Sequence, residues 1–593
     1  MKRMKFLCVL MSVLLLVLLV LCSCRKTSGD SDTAAVTTPG DEELSPTETV
    51  AFDTDVNVTV TEGVVSLTGE EVSITLSDDG ISCDSEAVTI SGSTVTITDE
   101  GTYVVTGSLS DGQIIVDAEK TDKVELILNG VGITCATSAP VYLKCADKLK
   151  LMLAEGSVNS LVNGGSYVAI DDNNIDAVIF AKDDLTLKGS GTLAIRATAG
   201  HGIVAKDDLK VTGGTYIIVA EKKGISVNDS AELNGGSLAI TSGTDGIHVE
   251  NDEDTTLGNF EANGANIKVT SGGDGISASG TLTVNDGYLE IVAGGGYKAK
   301  VTDTSSSTKG LKAEGVLTIA GGTLNINSQD DAIHSNSDVV LSGGNVTVAS
   351  GDDGVHADNN VTVSDGVLNV TSSYEGLEGL TVDITGGTLK LVASDDGINA
   401  AGGNDSSGFG GGFGNDRFGP GGGSSSSSSS SSSYIRISGG VIYVNADGDG
   451  VDSNGELTVS GGELYVSGPT SNGDGALDFD GTGTITGGTV VAVGSSGMAQ
   501  NFGSSSTQGS VLLTVGSQSA GTTVTLSDSD GNVLVSYQPE SAYASVVISC
   551  PGLTVGEKYT VSAGSYSKTI TLSSLIYGSG GGMGGGGMGG GPR

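Results

Sequence analysis

Short runs in which apolar and polar residues alternate dominate the chain from about residue 88 to residue 501. One example comprises the runs 332–334, 339–341 and 346–348, with a glycine pair between the last two, and glycine or Asp-Gly pairs recur at this place along the chain. Alternation with a period of two is typical of β-strands, and such pairs are typical of turns. No stretch after the apolar run at the N-terminus has the spacing of a helix. The sequence therefore predicts an all-β protein.

The strand runs and glycine pairs recur together about every 22 residues. An apolar residue that follows an acid and a glycine or alanine recurs in step, at Ile333, Val355, Leu377 and Ile398. Three strands in a repeat of this length predict a parallel β-helix, in which equivalent residues of successive coils stack about 4.8 Å apart. A propeller blade needs about 40–45 residues and an RTX roll repeats every nine, so neither period fits.

Composition and pattern together predict six segments. They are an export signal at 1–23, a flexible tether at 24–50, an N-terminal β cap at 51–87, a parallel β-helix at 88–501 with a Gly- and Ser-rich inserted loop at 402–433, a C-terminal β region at 510–577, and a Gly-rich tail at 578–593.

The N-terminus combines basic residues at positions 2, 3 and 5 with an apolar run from Phe6 to about Cys22. This is the pattern of a secretory signal peptide, and the run is slightly short for a retained transmembrane helix. The sequence Leu21-Cys22-Ser23-Cys24 resembles the bacterial lipobox. The resemblance implies cleavage before Cys24, a diacylglycerol anchor on it, and a location on the extracellular face of the cell membrane.

The formal net charge of −43 argues against nucleic acid as a partner, because phosphate binding needs a basic surface. Membrane contact is expected through the lipid anchor alone. The hydrophobic share of 37% is enough to build a core although tryptophan is absent. Cys135 and Cys145 lie ten residues apart and could form a disulfide in an exported protein, or remain buried thiols.

Acidic residues recur at one corner of the predicted coils. Stacked carboxylates repel one another, and calcium relieves this because it binds six to eight oxygen ligands. The alternative is that aspartate simply favours tight turns. The candidate calcium ligands are Asp245, Asp274, Asp330, Asp331, Asp352, Asp353, Asp395, Asp396, Asp449 and Asp474. The densest second group comprises Asp447, Asp449, Asp452, Asp474, Asp478 and Asp480.

Basic residues interrupt this acidic corner. His248, His334 and His356 share one coil position, where we expect exposed side chains pointing outward, with metal or sugar binding as the alternative. Lys309 and Lys312 stand where other coils carry acid. They either relieve charge or, beside calcium, supply a base for β-elimination from an acidic polysaccharide.

The strand after each glycine pair carries an outward column of residues. A linear glycan could lie along it, because sugar faces pack on aromatic rings, although tyrosine and threonine are also common on ordinary strand surfaces. The column reads Glu290, Asn325, Thr347, Asn369, Lys390, Tyr443 and Tyr465. Its candidate carbohydrate-binding residues are Asn325, Asn369, Lys390, Tyr443 and Tyr465.

The lipobox, the Asp-Asp-Gly/Ala-Ile/Val-His/Asn corners at 330–334, 352–356 and 395–399, and Lys-Gly-Leu-Lys at 309–312 resemble the carbohydrate-binding-domain lipoproteins of Gram-positive bacteria. These are related to pectate lyases of polysaccharide lyase family 9. The resemblance implies a right-handed parallel β-helix, structural calcium, and surface binding of cellulosic or pectic cell-wall polysaccharide. In the lyases a lysine abstracts the proton, which Lys309 or Lys312 could match. The alternatives are an active calcium-dependent lyase and a structural adhesin.

Overall fold

The computed structural model describes residues 58–66, 68–301, 306–400 and 433–578. These residues form 46 β-strands and no helix, which confirms the all-β prediction. Within the same ranges no helix is present that has the length and hydropathy needed to cross a membrane. The predicted export signal, Cys24, the tether, nearly all of the 402–433 insertion and the tail from residue 579 lie outside the described residues.

The strands are short and follow one another closely. The first nine are Val72–Leu76, Val88–Ser91, Thr94–Ile97, Gly101–Leu109, Gln113–Asp117, Lys123–Cys135, Val141–Cys145, Lys148–Leu153 and Val158–Asn163. The next twenty-two are Ala177–Ala181, Asp184–Gly189, Thr192–Ala197, His201–Ala205, Leu209–Ala220, Ile225–Val227, Ser230–Ser242, Ile247–Val249, Asn259–Ser271, Ile276–Ala278, Leu282–Ala293, Leu311–Ala313, Leu317–Ile319, Thr323–Ser328, Ile333–Ser335, Val339–Leu341, Asn345–Ser350, Val355–Val363, Val367–Ser372, Leu377–Ile384, Thr388–Ala393 and Ile398–Ala400. The last fifteen are Tyr434–Ile437, Val441–Ala446, Val451–Ser453, Glu456–Val459, Glu463–Ser467, Asp478–Phe479, Gly483–Ile485, Thr489–Gly494, Ser510–Gln518, Val524–Ser527, Val533–Tyr537, Tyr543–Ser549, Lys558–Ala563, Tyr566–Thr571 and Ile576–Tyr577.

Each strand of a repeat pairs in parallel with its equivalent in the next repeat. In one repeat the first strand, Thr323–Ser328, pairs with Asn345–Ser350, so that Asn325 lies opposite Thr347. The second strand, Ile333–Ser335, places Ile333 opposite Val355. The third strand, Val339–Leu341, places Val339 opposite Val361. The sequence period of 22 residues is therefore the register of the sheet.

The apolar positions of all three strands form the core. Ile326, Ile333 and Val339 are fully buried. They belong to one continuous cluster of buried side chains that runs from Ile74 to Val547. Burying an aliphatic side chain of this size contributes about 1.5–3 kcal/mol, so the stacked files of Val, Ile and Leu are the main stabilising term.

The glycine pairs lie between the third strand of one repeat and the first strand of the next. A Cβ atom on Gly343 would lie 2.2 Å from the carbonyl oxygen of Ala320. Gly344 has a φ of +84°, in the left-handed region that side chains other than glycine rarely adopt. Gly344 stacks on the glycine pair of the preceding repeat, since a Cβ atom on it would lie 3.0 Å from the carbonyl oxygen of Gly321.

The turn between the first and second strands, here called the first turn, is usually three or four residues long, as in 329–332. It is much longer at 164–176, 294–310 and 468–477.

The two ends differ from the repeats. Val72–Leu76 pairs in parallel with Gly101–Leu109. At the other end, Tyr543–Ser549 pairs antiparallel with both Thr489–Gly494 and Ser510–Gln518. A separate antiparallel sheet has the strand order Val533–Tyr537, Val524–Ser527, Lys558–Ala563, Tyr566–Thr571. Cys135 and Cys145 are free thiols, so the disulfide alternative is wrong.

Candidate functional site at the first turn

Two files of side chains run along the first turn, each with one residue from successive repeats. The turn file comprises Asp245, Asp274, Lys309, Asp331, Asp353, Glu375, Asp396 and Asp449. The strand file lies three residues later in each repeat, on the second strand. It comprises His248, Ser277, Lys312, His334, His356, Glu378, Asn399, Asp452 and Asp478.

The turn-file carboxylates have a structural task. The Oδ1 atom of Asp331 accepts a hydrogen bond of 3.0 Å from the backbone N–H of Asp353 in the next repeat. Asp353 accepts in the same way from Glu375 at 3.1 Å. Asp245, Asp274, Asp396 and Asp449 repeat the arrangement, with partners Asp274, Lys309, Asp449 and Gly475. The turn-file carboxylates therefore accept hydrogen bonds from backbone N–H groups of the next repeat, and this role does not require a metal ion.

At the N-terminal part of the files, a hollow of 460 Å³ is lined by Asp245, Asp274, His248 and Lys312. His248 lies at its centre. Its Nδ1 is 2.7 Å from Ser277 Oγ and 3.2 Å from Asp245 Oδ2, and its Nε2 is 2.7 Å from Glu250 Oε2. Burial lowers the pKa of His248, but the hydrogen bonds to Asp245 and Glu250 outweigh this and raise it overall. Both ring nitrogens are therefore engaged in hydrogen bonds.

In the middle of the files, Lys309 is buried with 1% exposure. Its Nζ lies 3.1 Å from Asp330 Oδ1 and 2.8 Å from Asp331 Oδ2. Burial alone would raise the pKa of Asp331, but Lys309 and His334 hold it well below its usual range. The prediction that Lys309 could act as a base is therefore wrong, because a polymer cannot reach its buried ammonium group. Lys309 also fills the group formed by Asp330, Asp331 and Asp352, whose oxygens lie within 4.8 Å of one another.

His334 and His356 are stacked, as the period predicts, but the expectation that they are exposed is wrong. Both are buried, with ring centroids 4.8 Å apart and 7° between the planes. Nδ1 of His356 lies 2.7 Å from Glu378 Oε2 and 3.3 Å from Asp353 Oδ2. In-plane lone pairs of parallel rings do not converge, so one metal ion would not bind both imidazoles in this arrangement.

At the C-terminal part of the files, three carboxyl groups meet. The oxygens of Asp396, Asp449 and Asp452 lie within 4.8 Å of one another. Burial raises the pKa of Asp396 to about 8, that of Asp449 to about 6 and that of Asp452 to about 7. Buried Asn399 lies opposite Asp452, and its Oδ1 accepts no hydrogen bond from any described residue.

The other predicted ligands are distributed differently. Asp395 and Asp474 are not part of this trio. Asp395, the residue before Asp396, is hydrogen-bonded to Tyr374, and Asp474, in the following repeat, is hydrogen-bonded to Ser471. Asp352 and Asp353 are buried beside the Lys309 cluster. Burial raises the pKa of Asp353 well above its usual range.

The predicted outward column is in register. Asn325, Thr347, Asn369, Lys390, Tyr443 and Tyr465 follow one another from repeat to repeat. Tyr443 and Tyr465 stack with ring centroids 5.3 Å apart. Tyr465 is only 4% exposed, however, because Tyr537 of the C-terminal sheet packs 5.2 Å from it. The column is therefore open from Glu290 to Lys390 and covered at its tyrosine end. The prediction that Tyr465 binds sugar on an exposed ring is wrong.

Several site residues escaped the sequence analysis. Glu375 and Glu378 take the positions of Asp353 and His356 in the next repeat, so the 22-residue period could have identified them. Lys223, Glu250, Ser277 and Glu314 line the hollow around His248, and no motif marks them.

Comparison with known proteins supports a carbohydrate-related role. The model of the carbohydrate-binding domain-containing protein family matches residues 91–354 and 345–475. The chain belongs to this family. A carbohydrate-binding domain-containing protein of Acetivibrio thermocellus is 37% identical over 232 residues, which are 39% of this chain and 77% of the relative. Among solved structures, the gadolinium derivative of a polysaccharide lyase-like protein from C. thermocellum is 36% identical. That match covers 42% of this chain and 97% of the other, with a TM-score of 0.39.

Proposed function

We propose that this carbohydrate-binding domain protein is a lipid-anchored cell-surface protein. It binds plant cell-wall polysaccharide, cellulosic or pectic, through a calcium-stabilised, right-handed parallel β-helix. The column from Glu290 to Lys390 carries the proposal. It offers one hydrogen-bonding side chain per repeat on a half-exposed strand surface, at a spacing of about 4.8 Å. A linear glycan lying along the column would meet a new polar group at nearly every sugar unit. Family membership supports the polysaccharide partner.

The winding follows from the same pairing. All three strands of a repeat pair in parallel with their equivalents 22 residues later, as at Asn325 and Thr347, Ile333 and Val355, and Val339 and Val361. A chain that returns to the same three positions in each repeat forms a coil. Crossovers between parallel strands are right-handed in nearly all proteins, which supports the proposed hand.

Calcium fits the C-terminal part of the first turn. Calcium prefers carboxylate and amide oxygens. Asp396, Asp449 and Asp452 supply the carboxylates, and the unpartnered Oδ1 of buried Asn399 supplies an amide oxygen beside them. Bound there, the ion would offset two of the three carboxylate charges and link two adjacent repeats. The Asp330, Asp331 and Asp352 group does not fit, because Lys309 already supplies its positive charge.

The second candidate function is a calcium-dependent pectate-type lyase, which the position of Lys312 favours. Lys312 lines the 460 Å³ hollow together with Asp245 and Asp274. Sustained formation of unsaturated product from polygalacturonate with calcium, abolished in Lys312→Ala, would establish the lyase and end the binding-only proposal.

The anchor proposal rests on the sequence Leu21-Cys22-Ser23-Cys24. Fractionation of cells that produce the wild type and Cys24→Ala tests it. We expect wild-type protein in the membrane fraction at the cell surface, and the variant to lose membrane attachment.

Retention on insoluble polysaccharide tests the binding function. The wild type, Asn369→Ala and Lys390→Ala are incubated with microcrystalline cellulose and with cross-linked pectin. Lys568→Ala, an exposed residue of the C-terminal sheet, is the matched control for Lys390→Ala. We expect the wild type and the control to be retained and both column variants to be retained less. If neither polymer retains the wild type, the protein is better explained as an adhesin for another partner.

A further inference from the structure

Two hollows meet at the first turn of four successive repeats. The turns 198–200, 221–224, 243–246 and 272–275 are short, whereas those before and after them, 164–176 and 294–310, are long. Tyr167 of the earlier loop packs beside Gly200, where a Cβ atom would lie 2.8 Å from its ring. Ser306 and Ser307 of the later loop line one hollow directly. The short turns therefore lie in a recess between two longer loops.

The hollow around His248 has a volume of 460 Å³ and carries groups of both charges. Its lining includes the carboxyl groups of Asp245, Asp274, Glu250 and Glu314, and the ammonium groups of Lys223 and Lys312. Ser277 and Ser279 add hydroxyl groups between them. Charged donors and acceptors that lie close together can bind two neighbouring hydroxyl groups of a ligand through charge-assisted hydrogen bonds.

The adjoining hollow has a different character. Its volume is 420 Å³, and its lining is mostly apolar around Val219 and Ala220, with Arg196, Thr198 and Glu221 beside them. Gly243 borders both hollows. An apolar surface next to a hydrogen-bonding one matches the two kinds of surface that a sugar ring presents, its C–H face and its hydroxyl edge.

We propose that these two hollows together bind a short segment of an uncharged saccharide that crosses the first turn at Gly243. The inference rests on the proposed polysaccharide function and deepens it in two ways. It names neutral glycans rather than uronates as the ligand class, and it adds a site that lies across the repeats, separate from the column that runs along them.

Charge balance selects the neutral ligand. Four carboxyl groups face two ammonium groups, those of Lys223 and Lys312. The N–H groups of His248 are already bound to Asp245, Ser277 and Glu250. Lys223 lies 3.9 Å from Asp245. A uronate would bring a further carboxylate into this surplus of acid, whereas a neutral sugar adds no charge and can donate to Glu250 and Glu314.

His248 acts as a positioning residue. It holds Oε2 of Glu250 at 2.7 Å and lowers the pKa of that carboxyl, so that Glu250 stays ionised and fixed where it lines the hollow. Both ring nitrogens of His248 already have partners in Asp245, Ser277 and Glu250, so neither is open to a ligand. The site is therefore suited to binding.

Calorimetric titration of the full-length protein with cellotetraose, cellobiose and trigalacturonate tests the proposal. We expect cellotetraose to bind more tightly than cellobiose, because it spans both hollows, and trigalacturonate to bind at least tenfold more weakly than cellotetraose. Glu250→Gln and Lys312→Met should each weaken cellotetraose binding at least tenfold. Glu557→Gln and Lys568→Met, at exposed positions of the C-terminal region, are the matched controls and should bind as the wild type does.

Three results would overturn the proposal. They are trigalacturonate binding as tightly as cellotetraose, equal affinity for cellobiose and cellotetraose, and cellotetraose binding that is absent or indifferent to both hollow variants. Retention of the same preparations on insoluble polymer separates this failure from failure of the proposed function. Wild-type protein that binds polymer but no tetrasaccharide refutes the hollows alone, whereas protein that binds neither refutes both.

Discussion

The imidazole rings of His334 and His356 stack 4.8 Å apart inside the protein, yet their environments favour different protonation states. Burial and the neighbouring Lys309 lower the pKa of His334. Burial also lowers the pKa of His356, but hydrogen bonds to Asp353, Asp358 and Glu378 raise it well above its usual range. One neutral ring therefore lies on one charged ring, which avoids the repulsion of two stacked cations.

Removing the charged ring should cost more than removing the neutral one. His356→Leu leaves Glu378 buried without its cation, and we expect a loss of about 3–5 kcal/mol at pH 7. His334→Leu removes hydrogen bonds of a neutral ring and should cost about 1–3 kcal/mol. Urea denaturation followed by circular dichroism measures both. Equal losses would contradict the assignment of the charge to His356.

Lys309 should be replaceable, in part, by calcium. Lys309→Met leaves Asp330 and Asp331 buried without a cation, and we expect a loss of about 3–5 kcal/mol in chelator. Millimolar calcium should recover part of it, because the oxygens of Asp330, Asp331 and Asp352 are close enough to share an ion. Thermal unfolding in an Asp452→Asn background removes the contribution of the C-terminal site. No recovery by calcium in that background would argue against this view of Lys309.

The C-terminal carboxyl trio predicts a pH-dependent calcium effect. The pKa values of Asp396, Asp449 and Asp452 in the folded protein, about 8, 6 and 7, lie above the value of roughly 3.9 in an unfolded chain. The folded state then binds more protons, so without calcium its stability falls as pH rises from about 4 to 8.

Calcium should offset that fall. We expect it to raise the melting temperature strongly at pH 8 and little at pH 5, where protons compete. Asp449→Asn and Asp452→Asn should reduce both the calcium effect and the pH slope. Differential scanning calorimetry with calcium and with chelator provides the measurement, and an equal calcium effect in these variants would place the ion elsewhere.

Glu375, one repeat before the trio, provides a second pH test. Burial, followed by repulsion from Glu378, raises its pKa to about 9, compared with about 4.3 in an unfolded chain. The wild type should therefore lose stability as pH rises from about 5 to 9, by up to about 1.4 kcal/mol per pH unit. Glu375→Gln cannot ionise at this position, so its stability relative to that of the wild type should increase over that range. Parallel urea curves for the two proteins at pH 5 and pH 9 would show whether it does.

Tyr465 should matter to the C-terminal sheet more than to ligand. It packs between Tyr443 and Tyr537, and we expect Tyr465→Ala to cost about 3–5 kcal/mol. Limited proteolysis should then cut the C-terminal region faster than in the wild type. Tyr443→Ala, at a half-buried position, should have a smaller effect. Unchanged proteolysis of Tyr465→Ala would mean that other contacts hold the sheet.

The sequence period predicted the register well because it is a local property. The 22-residue step placed Asn325 opposite Thr347 and His334 opposite His356 without further information. Alternation also shows which side of a strand a residue takes. It does not show what covers that side, which explains why His334 and His356 were expected to be exposed and proved to be buried.

Contacts between segments that are distant in sequence account for the remaining differences between the predictions and the structure. Tyr465 is covered by Tyr537, a residue 72 positions later that lies outside the repeats. The acidic corner was predicted to need a cation, but the charge at Asp330 and Asp331 comes from Lys309, one repeat earlier. Glu250 contributes to the hollow through its bond to His248, and no spacing rule marks such a pair.

The carboxylate bonds between successive turns also constrain how such a chain can change in length. Asp331 binds the backbone of Asp353, and Asp353 binds that of Glu375, so each unit supplies an acceptor that the following unit requires. Deleting one residue within a strand would shift the rest of that strand out of step with its partners, whereas extra residues in a turn, as at 294–310, leave the bond from Lys309 to Asp274 in place. Gene duplication or loss of entire 22-residue modules keeps all the partners matched, and is the route by which this architecture can evolve longer or shorter forms.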